Sequence, residues 1–150
     1  MAKKRIAWLL IGGISCCGLG MISHAQSIED YIQPADAIAL NPALGLEGIE
    51  AALLRGSLNE EGFYVLRVKF HPGAASAPHT HDQDRYITVL EGTWHFAIGE
   101  EGSCSNATPL EAGSFAYLPA EIPHFDGSCS DIPTIVQISG YGPVHTHYIE

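Results

Sequence analysis

Beyond position 25 this chain has almost no positive charge. Arg55, Arg67, Lys69 and Arg85 are the only basic residues there, against 17 acidic ones, which leaves that segment at a formal charge of −13. Such a surface repels nucleic acid and anionic lipid, which argues against a phosphate-backbone partner. Cysteine is scarce as well: the chain has four, and no C-x-x-C pair. With no histidine close in sequence to Cys104 or Cys129, this argues against a Cys/His zinc site. No helical period of ten residues falls between the strand-like runs, so a parallel βαβ sheet is not expected. Internal repeats and low-complexity tracts are missing too.

The one long hydrophobic run, residues 6–22, contains four glycines. Lys3, Lys4 and Arg5 precede it and Ser23-His24-Ala25 follows it, the pattern of a secretory leader with a small-x-Ala cleavage site. A spanning helix needs about 20 apolar residues, so the expectation is cleavage after Ala25 and a periplasmic or secreted protein with no membrane attachment. Acylation at Cys16 or Cys17 fits poorly, because neither follows a leucine-small-small triplet. Removing 25 of the 150 residues leaves 125, enough for one domain with a single core. Cys104 and Cys129 survive in loop-like contexts, "EEGSCSNA" and "DGSCSD". In an exported protein two such cysteines are expected to pair as a disulfide rather than remain free thiols.

Residues 26–48 read as an N-terminal arm, with Pro34 and Pro42 and a helical turn over residues 27–33. From position 49 the texture changes. "IEAALLRGS", "GFYVLRVKF", "DRYITVLEG", "TWHFAIG", "SFAYLPA", "PHFDG" and "PTIVQISGYG" are short β-branched and aromatic runs separated by Gly, Pro and Asn-rich breakers. That spacing predicts an all-β sandwich or barrel. In "YVLRVKF", Tyr64, Leu66, Val68 and Phe70 alternate with polar positions, as in a half-buried strand. In "TWHFAIG", Trp94, Phe96 and Ile98 share a face and His95 takes the other, so His95 reads as an ordinary strand histidine.

"HPGAASAPHTHDQDRYITVLEGTW" places His79 and His81 two apart, on one face of a strand. The spacing Gly73-x5-His79-x-His81-x3-Arg85-x6-Gly92 resembles the first motif of the cupin superfamily, with Arg85 where the family has glutamate. Gly113-x5-Pro119-x4-His124 resembles the second; Glu121 stands in place of its second glycine and Ser128 in place of its asparagine. The likeness covers residues 49–143, with residues 144–150 left as a tail, and the chain is similar to small exported single-domain cupins. The resemblance implies an antiparallel double-sheet jelly-roll barrel. It also implies that His79, His81 and His124 hold one divalent transition metal (iron, manganese, zinc, nickel or copper) and that the chain can pair into a homodimer through outer strands.

Imidazole suits such metals, and three neutral histidines leave coordination positions open. A guanidinium has no lone pair to give, so Arg85 cannot be the fourth ligand. Asp82, Gln83 and Asp84 are the neighbours that would replace it, Asp84 by way of a bulge. Arg85 itself either holds an anionic substrate in bidentate fashion or pairs with Asp82, Asp84 or Glu91. Tyr86, Tyr117 and Phe125 read as core aromatics that could also line a cavity, and Asp82, Asp84, Glu121 and Tyr117 as acid or base candidates. His145 and His147, near a chain end, read as solvated. The function expected is that of a dioxygenase-like oxidoreductase acting on a small organic anion. The alternatives are a non-redox metal-dependent isomerase or decarboxylase, and a non-catalytic metal- or ligand-binding module.

Overall fold

The β-branched runs and their Gly and Pro breakers become eleven strands in the computed structural model, which describes residue 28, residues 31–43 and residues 45–149. The expected leader, with Cys16 and Cys17, lies outside the described residues. The strands are β1 (Asn41–Pro42), β2 (Ile49–Arg55), β3 (Gly62–Phe70), β4 (His79–His81), β5 (Arg85–Glu91) and β6 (Thr93–Ile98). They continue with β7 (Thr108–Glu111), β8 (Phe115–Leu118), β9 (His124–Gly127), β10 (Thr134–Gly142) and β11 (Thr146–Tyr148). One sheet has the order β1-β2-β3-β10-β5-β8 and the other β11-β4-β9-β6-β7. From β3 onward the chain changes sheet at every connection except the β6–β7 hairpin, which is the all-β double-sheet jelly roll.

Alternation decides which face is buried. Tyr64, Leu66, Val68 and Phe70 of β3 are buried, as are Thr134, Val136, Ile138 and Gly140 of β10 and Ile87 and Val89 of β5. The register sets Tyr64 opposite Gly140, Gly140 opposite Arg85, and Arg85 opposite Leu118. These four form one row across the inner face of the larger sheet. Trp94 and Phe96 pack from β6 of the other sheet, ring centroids 4.9 Å apart. Ile98, expected on their face, is 62 % exposed. Pairing with β7 ends at Phe96, so the last residues of β6 have a neighbour on one side only.

Three turn positions carry the motif spacing. Gly73, Gly92 and Gly113 all have positive φ. At Gly92 a Cβ would also sit 2.3 Å from the Pro133 carbonyl oxygen, so the β5–β6 turn admits no side chain there. Glu121, in place of the motif's second glycine, has φ 63°. The chain keeps the left-handed turn without the residue that makes it cheap, and the Glu121 amide donates to the His81 carbonyl at 2.7 Å.

Both ends differ from the sequence reading. The arm joins the larger sheet, because Asn41 and Pro42 pair with Ala51 and Glu50. A 3-10 turn forms at Ala35–Ala37, and the Ile28 carbonyl accepts from the Tyr31 and Ile32 amides. The tail is a strand: Thr146, His147 and Tyr148 pair with His81, Thr80 and His79. The side chains of His145 and His147 are exposed, but their backbone is held. Cys104 and Cys129 are joined by a disulfide that ties the β6–β7 loop to the β9–β10 loop.

Candidate metal centre

β4 is only three residues long, yet its pleat turns His79 and His81 to the same buried face. β9 runs beside it and sets His124 opposite His79. One ring nitrogen from each of the three lies within 4.8 Å of the others. Each Nδ1 faces a backbone carbonyl: Ala77 at 2.7 Å for His79, Ile122 at 2.9 Å for His124, and His145 at 3.1 Å for His81. A carbonyl only accepts, so each Nδ1 carries a proton and Nε2 is the nitrogen left to face a metal. That is the orientation metal-bound imidazoles take when a carbonyl fixes the far nitrogen.

Burial keeps two of these rings neutral. It is the largest cause lowering His81 to about 2, reinforced by the Arg85 charge, and the largest cause lowering His124 to about 4, reinforced by His79. The hydrogen bonds to the His145 and Ile122 carbonyls act in the opposite direction. At neutral pH both rings are therefore unprotonated at Nε2. Three imidazoles whose Nδ1 atoms are held by carbonyls are a donor set that suits zinc, copper, iron or nickel.

Arg85 comes from the other sheet, on the inner face shared with Ile87 and Val89. Its Nη1 hydrogen-bonds His81 Nε2, the atom that would bind a metal. Its Nε is buried without a partner. The expected pairs with Asp82, Asp84 or Glu91 do not form.

The fourth-ligand candidates are turned away from the histidines. Asp84 accepts from the Ala120 amide at 2.9 Å and the Tyr117 hydroxyl at 2.8 Å, and these two bonds, in that order, hold its carboxyl below the usual range. Gln83, Asp84, Tyr86 and Tyr141 line a separate surface hollow. Asp82 accepts from the backbone amide and Nδ1 of His145, at 2.8 and 2.6 Å. No bulge brings Asp84 inward, because its carboxylate caps the β8–β9 turn instead. Tyr86 and Tyr117, read as core, stack on each other with exposed rings, while Phe125 is buried. His95 accepts from the Cys129 amide at 3.1 Å and stays apart from the triad.

Two residues the sequence reading passed over belong to the site. A cavity of about 250 Å³ is lined by His79, His81, Arg85, Asp126, Thr146 and Tyr148 together with apolar side chains. Asp126 is 7 % exposed and lies two residues after His124, so strand parity gives it the same face. That parity was readable in "HFD". Tyr148 sits against His79, ring centroids 5.6 Å apart, and burial followed by the Asp126 charge raises its phenol. Nothing in the sequence pointed to it, because its place depends on the tail pairing with β4.

The fold and the three converging histidines define the class. The cupin domain model matches residues 66–136, and the chain belongs to the cupin superfamily. No curated protein sequence matches it. Among solved structures it is similar to the polyketide cyclase RemF from Streptomyces resistomycificus, with TM-score 0.65, 15 % identity, and 79 % of this chain and 86 % of that one covered. It is also similar to a cupin-superfamily sugar phosphate isomerase from Silicibacter pomeroyi, with TM-score 0.60, 22 % identity and coverage of 78 % and 80 %. A cupin-2 domain protein from Rhodospirillum rubrum gives TM-score 0.62, 11 % identity and coverage of 79 % and 80 %. At these identities the likeness is one of fold.

Proposed function

We propose that this cupin is a metal-dependent enzyme that acts on a small organic anion at the three-histidine centre. The observation that carries the reading is the convergence of three histidine ring nitrogens, two of them on residues that line a cavity which also holds a half-buried cation, Arg85, and a buried carboxylate, Asp126. A divalent metal there supplies Lewis-acid polarisation and, if it is iron, the redox chemistry of a dioxygenase. Arg85 neutralises the substrate's charge. Asp126 is placed to take up and return a proton, with Tyr148 beside His79 as a second hydroxyl in the same space. The apolar side chains in the lining lower the local dielectric and strengthen each of these interactions.

Asp126 and Tyr148 favour a proton-transfer reaction of isomerase or decarboxylase type, in which a proton is both taken from and returned to carbon. Metal analysis by mass spectrometry on untagged, chelator-free protein is the first test: about one transition metal per chain, lost in His81→Ala. Incubation of the loaded protein with small 2-oxo acids in heavy water then separates the two chemistries. Deuterium entering carbon without oxygen uptake, and absent in Asp126→Asn, supports proton transfer. Oxygen uptake that Asp126→Asn retains supports the dioxygenase. No stoichiometric metal in the native protein overturns both. The disulfide also supports export, since such bonds persist in oxidising compartments; periplasmic protein whose first residue is Gln26 would agree.

A further inference from the structure

Two polar atoms buried without a partner stand on one inner row of the larger sheet. They are Nε of Arg85 and the hydroxyl of Tyr64, a residue with no exposed surface. Both sit in the inner row Tyr64–Gly140–Arg85, separated only by a glycine. A Cβ at Gly140 would lie 2.9 Å from the Tyr64 hydroxyl, so the tyrosine leans over the space where Gly140 has no side chain. A buried hydroxyl without a partner is costly, and so is a guanidinium N–H without an acceptor. The two are chemically complementary, since an arginine N–H donates and a phenol oxygen accepts.

At present Arg85 uses Nη1 on His81 Nε2. A guanidinium and a metal cation cannot share that lone pair, so loading the triad frees the Arg85 side chain. We propose that Arg85 is a two-position residue. It caps His81 in the metal-free protein and, once His81 takes up a cation, it turns to Tyr64 and presents its guanidinium to a carboxylate in the cavity, so that cation and carboxylate bind cooperatively. The inference rests on the metal-dependent reading above and adds to it the ligand class and the order of loading. The cavity's apolar lining includes Leu46, Ile49, Leu58, Leu66, Ile138 and Val144. The ligand is therefore a small monocarboxylate with a hydrocarbon body.

Calorimetric titration of the whole chain with zinc and with hexanoate tests this. Hexanoate is expected to bind about ten- to a hundredfold more tightly to the zinc-loaded protein than to the chelator-treated one, the range of a charge-assisted hydrogen bond. By linkage the same factor appears in the zinc affinity when hexanoate is present. Arg85→Gln is expected to bind zinc more tightly than wild type without hexanoate, since the competitor for His81 is gone, and to lose the coupling. Tyr64→Phe is expected to bind zinc several-fold more weakly, because the loaded protein loses the acceptor to which Arg85 turns, and in the metal-free state to melt no lower than wild type, because it removes only an unpartnered hydroxyl.

Equal hexanoate affinity with and without zinc overturns the proposal while leaving the metal centre intact. So does coupling that survives in Arg85→Gln, which would mean that the carboxylate binds the metal directly. Hexan-1-ol coupled as strongly as hexanoate also overturns it, because charge would then play no part. A wild-type chain that binds none of zinc, iron, manganese, nickel or copper overturns the metal-dependent reading, and this inference falls with it.

Discussion

Glu121 shows at the scale of one residue how a motif can keep its geometry after losing its residue type. The turn before His124 needs a left-handed backbone, and the amide of residue 121 must reach the His81 carbonyl. A non-glycine residue there costs about 1–2 kcal/mol, and glycine would return part of that through the entropy of the unfolded chain. Glu121→Gly is therefore expected to raise stability by about 0.5–1 kcal/mol with metal content unchanged, read as a shift of the urea midpoint at constant m-value. The histidines were legible because a spacing of two fixes a shared strand face and because two motifs agreed on three positions. Asp126 obeyed the same parity but belonged to no motif and was passed over. The capping of His81 by Arg85 was not legible, since it depends on which way a long side chain leans between two sheets.

At the scale of the element, strands with enough length to show a period were readable and the shortest were not. β3, β5 and β10 announce themselves by alternation. β1 has two residues and β11 three, too few for a pattern, so their partners decide them, whereas β4, also three residues long, was legible only through its paired histidines. β7 contains Pro109 and Glu111 and is tolerated because it is an edge strand. β11 matters most for the site, because the carbonyl of His145 holds the Nδ1–H of His81, and Thr146 and Tyr148 close the cavity. Deleting residues 144–150 is expected to weaken metal affinity about 10- to 100-fold, the usual loss when the group behind a ligand histidine is removed. Competition with a fluorescent zinc chelator measures it. Within β10, Gly140→Ala would bring a methyl group to 2.8 Å from the Asp84 carbonyl oxygen. The expected loss is about 1–3 kcal/mol, against a near-neutral Ser139→Ala in the same strand by chemical denaturation.

For the whole molecule, acidity and the disulfide set the conditions under which the barrel persists, and the triad sets how it responds to acid. The Cys104–Cys129 link spans 25 residues, and loop closure of that size stabilises by about 3.5 kcal/mol in the chain-entropy model. Double substitution of both cysteines by serine should lower the unfolding free energy by that order. The pH response has a definite sign. His81 and His124 have folded values of about 2 and about 4, below their ordinary 6.5. Above pH 6.5 neither the folded nor the unfolded chain holds these protons, and the histidines cost nothing. As pH falls through 6.5 the unfolded chain takes up protons the folded one refuses, so stability drops, and this continues until the folded rings themselves protonate. Between pH 6.5 and 5 the loss is about 1.5 kcal/mol per histidine. The carboxylates remain largely ionised over that interval, so relief of repulsion among the acidic groups offsets little of it. Urea midpoints of chelator-treated protein at pH 7.5, 6.5 and 5 should therefore fall below pH 6.5, and a His81→Gln/His124→Gln double variant should flatten the profile by about 3 kcal/mol. A wild-type midpoint that holds steady to pH 5 would show that the rings protonate freely in the folded state, and the fixed neutral donor set on which the metal centre depends would be lost with it.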